Sequence, residues 1–427
     1  MPTDASHRGL ARRLARVESR NVTFLERLPP FWTQARGAGV RDAAGNVYLD
    51  LTGAFGVAFA GHRHPRVVER VREQSGQLIH GMGDIHPPAV KVEFLEALTS
   101  LMPWPDARGI LGLSGSDAVE AALKTAHVAT GRVGVIAFEG SYHGLTLGAL
   151  ATTHRKHFRR PFSDRLADHV HFVPFPSSRS GAKQALDTVS ELLAAASPVP
   201  VGAVIVEPIQ GRAGVRVPPR GFLKELGERA RAGGAILIAD EIFTGMGRTG
   251  HLLASFGDGA VPDLVCLGKA LGGGMPISAC LGPATVMDAW PPSTGEAIHT
   301  STFLGHPLSC AGGLGFLAAV EAEDLVQRAR RLGGEALDYL VASLDGCDEV
   351  VDVRGRGLML GIELRARAGE PVGAGAAVAE RALERGLIVL PAGEAGDVVE
   401  LTPPATLTRE ELERGLEILV AVIRSAG

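Results

Sequence analysis

The chain has 427 residues, 45% of them hydrophobic and 21% charged, which is globular composition and excludes intrinsic disorder. Forty-three Lys and Arg against 47 Asp and Glu leave a net charge of −4, so there is no global basic field for nucleic acid or an anionic membrane. Fifty-five glycines without a collagen period and four cysteines without CxxC spacing exclude a collagen and a disulfide scaffold, and predict a reduced, cytoplasmic protein of about two or three domains.

Residues 1–23 carry Arg8, Arg12, Arg13, Arg16 and Arg20 without an apolar core, so they read as a surface helix and not as a secretory signal. Residues 41–51 read as a hairpin around Gly45-Asn46 that packs with the C-terminal part of the chain. Short apolar runs at 133–138, 201–206, 235–239 and 264–267 then alternate with helical patterns at 118–130, 183–196 and 221–232. Such alternation predicts an α/β fold whose mostly parallel central sheet is covered by helices on both faces. Residues 282–302, with Pro283, Pro291 and Pro292, read as a long functional loop. After it come a long helix over 318–344, a strand or strand pair over 355–364, and helices over 376–385 and 409–425, which make a smaller α+β domain. The expected division is an N-terminal segment over 1–60 packing with the small domain, a large domain over 61–312 and the small domain over 313–427. No run approaches the roughly 18 apolar residues that span a bilayer.

Ligands of open parallel sheets bind beyond the carboxyl ends of the strands. There this sequence has Glu207 after 201–206, Asp240-Glu241 after 235–239 and Gly268-Lys269 after 264–267. One such charge is usually a solvated sheet rim; two acids and a lysine together call for chemistry. Upstream, Ser114-Gly-Ser-Asp117 is a helix-capping pattern, whose free N–H groups and dipole make an anion site that Gly115 lets a phosphate approach. Tyr142 follows another strand end and offers a ring to stack on a flat cofactor. A lysine, an acid, a phosphate-binding helix start and a stacking aromatic are what pyridoxal 5′-phosphate requires. Gly268-Lys269 is not a P-loop, since Asp263 stands at the first Gly position and Ala270 at the Ser/Thr position. His62 and His64 lack a nearby carboxylate or cysteine set, so no metal is expected.

These residues resemble the class III (ω-type) pyridoxal-phosphate-dependent aminotransferases of fold type I. The resemblance covers nearly the whole chain and is most specific over residues 237–250 and 262–276. It implies that Lys269 forms the Schiff base and shuttles the proton, that Asp240 pairs with the pyridine nitrogen, that Gly115 and Ser116 hold the phosphate, and that Tyr142 stacks on the ring. It further implies a homodimer with shared sites, in which Thr302 reaches the phosphate of the neighbouring subunit.

Three departures bear on substrate. Phe243 stands where many members carry Gln, and Leu145 stands where the glutamate- and ornithine-using branch has an Arg that grips a side-chain carboxylate. Arg212 and Glu400 occupy positions where that branch has a Glu and an Arg, so the charges are swapped. The pair is expected to act as a gate, Arg212 taking a substrate carboxylate and Glu400 a second ammonium; the plainer reading is a surface ion pair worth about 0–1 kcal/mol. Phe55, with Trp32 and Phe243, is placed at an apolar aperture. The expected reaction moves an amino group from an amine or ω-amino donor to a 2-oxo acid, and the alternative is an amino-acid or lactam racemase using the same Lys269 and Asp240.

Overall fold

The computed structural model describes residues 6–365 and 373–425. Its centre is a seven-stranded sheet in the spatial order Ala107–Gly112, Ser278–Pro283, Leu264–Leu267, Ile236–Asp240, Val201–Val206, Gly134–Phe138, Val170–Val173. The five strands from Leu264–Leu267 to Val170–Val173 pair in parallel, and only Ser278–Pro283 runs against its two neighbours. Every residue of Val201–Val206, Gly134–Phe138 and Leu264–Leu267 is buried, because helices cover both faces. Val204 and Val206 face Arg179–Ala194 and Phe222–Ala232, whereas Ala203 and Ile205 face Gly115–Thr130. Two expected strands match the observed limits, one starts a residue later than expected, and the one expected over 235–239 is shifted by one residue to Ile236–Asp240.

Two small sheets lie beside this core. One is antiparallel, ordered Val350–Arg356, Met359–Leu364, Val398–Leu401, Leu390–Ala392. In the other, the expected hairpin forms from Gly39–Asp42 and Val47–Asp50, and the latter pairs in parallel with Leu387–Ile388 near the other end of the chain. The helix His7–Val17 lies at the surface, and residues 1–5 of the expected N-terminal helix lie outside the described residues. Among the described residues no helix is long and apolar enough to cross a membrane.

The helix expected over 318–344 is two helices, Pro307–Ala322 and Leu325–Leu344, broken where Asp324 takes a left-handed φ of +45°. The first starts eleven residues earlier than expected because its glycines are close-packing positions and not breakers. A Cβ on Gly312 would lie 2.7 Å from Gly272 O, and one on Gly313 would lie 2.4 Å from the Phe94 ring. The expected domain boundary after residue 312 falls inside this helix. The expected 282–302 loop starts within Ser278–Pro283, passes through the short helix Ala284–Met287 and then runs without helix or strand to Pro307.

Candidate active site

Parallel register places Glu207, Asp240 and Gly268-Lys269 side by side, since Val206 pairs with Ala239 and Asp240 with Cys266. Glu207, Asp240 and Lys269 border a cavity of about 200 Å³ with Gly115, Ser116, Tyr142, His143, Arg212 and Phe243. Asp240 is buried, its Oδ1 accepting from Ile242 N at 3.1 Å and its Oδ2 lying 2.7 Å from His143 Nδ1. His143, one residue past the expected Tyr142, lines the cavity although the sequence did not single it out; its Nε2 is buried without a protein partner. Glu207 accepts from Tyr142 N at 2.9 Å and Gly211 N at 3.2 Å. Burial pushes its carboxyl up to about 7, with the nearby Asp240 adding to the shift and His143 opposing it.

Lys269 has a left-handed φ of +44°, a strained conformation of the kind that collects at functional sites. Burial lowers its ammonium pKa, opposed by Asp240, Glu207 and Glu400. Its Nζ lies 4.4 Å from the centre of the Phe243 ring. The expected capping box forms: Ser114 Oγ accepts from Asp117 N, and Asp117 Oδ2 accepts from Ser114 N at 2.9 Å. That box leaves the first N–H groups of Gly115–Thr130 at the cavity wall. A Cβ at Gly115 would sit 2.9 Å from Ile242 Cδ1, so glycine lets the helix start pack closely on Ile242 at the cavity wall. Ser116 Oγ accepts from Leu145 N at 3.2 Å, which ties the helix start to the turn after Tyr142.

The family model for aminotransferase class-III matches residues 24–423. The chain belongs to the class-III aminotransferases. It is 38% identical to an acetylornithine aminotransferase of Methanopyrus kandleri over 96% of this chain and 98% of that one. It is 32% identical to an alanine/serine racemase of Pyrococcus horikoshii over 91% and 85% of the two chains. An amine transaminase from an uncultivated Pseudomonas species, solved in its PLP-bound form, superposes with a TM-score of 0.88 at 28% identity, covering 96% of this chain and 99% of that one. The aminotransferase therefore has the fold type I architecture, takes pyridoxal 5′-phosphate, and transfers an amino group from a donor to a keto acid. Its cavity fits that cofactor: a buried carboxylate for a ring nitrogen, a lysine on the adjoining strand end, a helix start for a phosphate, and a buried His143 Nε2 left without a protein partner.

A second charged group borders the cavity. Arg212 lines it, and burial pushes the Glu400 carboxyl up to about 7 even though Arg212, Lys269 and Arg248 pull it down. Glu400 Oε2 is buried without a hydrogen-bond partner, and no Arg212–Glu400 ion pair forms. The surface ion pair is thus not what the fold contains: Glu400 is only 5% exposed. Arg248, missed by sequence reasoning, is fully buried, and burial lowers its pKa to about 9. It donates to the carbonyls of Gly56, Leu358 and Pro403, so one guanidinium joins three distant segments. Residues 53–56 all have positive φ, and Asp50 accepts from Thr52 N and Ala54 N while also bonding His62 Nε2 at 2.8 Å. His64 Nε2 lies 2.8 Å from Glu323 Oε1, so both histidines hold the fold. Phe55 is 59% exposed and is not among the residues bordering the cavity; its neighbour Gly56 packs on Phe243 instead. Trp32 stands edge-on to His62, away from the cavity, and Thr302 is exposed on this chain.

Proposed function

We propose that Lys269 and Asp240 carry the transfer, and that Arg212 and Glu400 choose its substrates. When bound, pyridoxal 5′-phosphate supplies a carbonyl that captures the amino group and a cationic ring that draws electrons from the adjacent carbon. With the cofactor bound, Lys269 Nζ would take up the proton released from the donor carbon that bears nitrogen and give it back within the same cavity. A lysine pKa lowered by burial suits both halves of this shuttle. Asp240, held by His143 and by the Ile242 N–H, keeps a carboxylate against the ring nitrogen. The N–H groups of Gly115 and Ser116 and the Ser116 hydroxyl bind the phosphate, and Tyr142 covers the ring. Thr302 of the partner subunit completes the phosphate site in a homodimer. Arg212 binds the carboxylate of a 2-oxo acid, and Glu400 receives a second ammonium when the donor carries one.

The observation that carries this reading is the convergence of Asp240, Lys269, Gly115, Ser116, Tyr142 and Arg212 on one cavity. The test is a half-reaction panel on the cofactor-loaded enzyme, adding each donor without keto acid and following the cofactor's change to its amine form. Conversion is expected with amines and ω-amino acids. Solvent deuterium entering a chiral amino acid that loses its handedness, with no conversion, would replace transfer by the racemase reading, which the Pyrococcus relative keeps in view.

A further inference from the structure

Two guanidinium groups at the Arg212 end lack a bonded counter-ion. Among the described residues the Arg212 side chain makes no hydrogen bond and no ion pair. Arg155 is half-buried with its Nε buried and unpartnered, and its Nη2 reaches only Gly393 O at 3.3 Å. The same residue, Gly393, contacts both, since its N–H donates to the backbone O of Arg212 at 3.1 Å. The Arg155 guanidinium lies 5.6 Å from the Phe158 ring, and Phe158 packs edge-on at 5.4 Å against Tyr142 of the cavity wall. Glu394 and Glu400 lie within electrostatic range of Arg155 and Arg212 respectively, yet neither bonds its arginine.

Two half-buried like charges repel, and that arrangement is costly until an anion joins them. Burial, reinforced by Arg212, already lowers the Arg155 pKa. A carboxylate offers two oxygens, which paired guanidinium forks bind in a fixed geometry. We propose that Arg155 is a specificity-determining residue which, together with Arg212, forms a paired-guanidinium subsite for a substrate carboxylate. The inference rests on the carboxylate role of Arg212 proposed above and extends it to a residue ten positions past Leu145, on a different segment from the missing arginine. The pair makes a carboxylate, and not chain length, the feature by which acceptors are selected.

The experiment converts the enzyme to its amine form and measures turnover with pyruvate and, separately, with propanal, which lacks the carboxylate. Arg155→Met should raise the KM for pyruvate about 10- to 100-fold more than the KM for propanal, the effect of losing a charge-assisted hydrogen bond. Arg155→Lys should recover part of that ratio. Calorimetric binding of succinate, an unreactive carboxylate probe, to the cofactor-loaded enzyme should weaken in the same order. KM values that move together for both acceptors, or succinate binding unchanged in Arg155→Met, would overturn the subsite. Wild-type enzyme that turns over neither acceptor would instead count against the transfer reading, and succinate binding would then decide the subsite by itself.

Discussion

The Asp240 end of the cavity and its Arg212 end are built in different ways. At the first, Glu207, Asp240 and Lys269 leave adjacent parallel strands, so the ladder fixes their spacing, and Asp240 and Glu207 each have bonded partners. At the second, Arg155, Arg212, Glu400, Arg248 and residues 53–56 arrive from five separated stretches, and the charges of Arg155, Arg212 and Glu400 lie near one another without an ion pair. The difference separates an end held by bonds, the rigid end, from one whose charges lack bonded partners, which fits the substrate-selecting role proposed for Arg212 and Glu400.

Three perturbations sharpen that contrast. The largest effect is expected at the rigid end: Asp240→Asn should lower kcat/KM by about 10²–10³-fold for every donor alike, because it weakens the electrostatic hold on the ring nitrogen. A loss confined to some donors would place selectivity at Asp240 and dissolve the distinction. Next, Gly56→Ala forces a side chain onto a residue at φ +80° and sets its Cβ 2.5 Å from the Phe243 ring. It should cost about 1–3 kcal/mol by thermal or denaturant unfolding, with KM for bulky donors changing more than kcat for small ones.

The smallest effect is pH-dependent. Glu400 has its folded pKa raised from the ordinary value of 4.5 to about 7, so between those values the folded state holds a proton that the unfolded state has released. Stability therefore falls as pH rises from about 4.5 to 7 and levels off above that. Glu400→Gln removes the penalty, and its Tm relative to wild type should rise between pH 5 and pH 8. A constant Tm difference would mean that Glu400 is not desolvated, and the Arg212 end would then lack the buried, unpartnered carboxyl that sets it apart.

The rigid end was largely legible in the sequence because its information is local. An apolar run followed by a charge marks a buried strand and its open end, and Ser114 with Asp117 marks a helix start; the capping box formed as the pattern predicts. His143 was missed because a lone histidine after a strand end has many readings and its partner Asp240 lies 97 residues further on. Arg155 and Arg248 escaped for the same reason, their bonds reaching Gly393, Leu358 and Pro403 only once the chain has folded. The swapped Arg212 and Glu400 were visible as residue types, but their burial and their lack of a mutual bond were not. Helix periodicity likewise continued through Glu323 and Asp324, where the left-handed turn depends on tertiary packing.

The most direct test of the central claim is borohydride reduction of the cofactor-loaded enzyme, followed by peptide mapping by mass spectrometry. The account predicts one cofactor-derived mass per chain, carried by Lys269. Label on any other residue, or a fully loaded enzyme that retains none after reduction, would contradict the assignment of Lys269 as the residue around which the cavity is built.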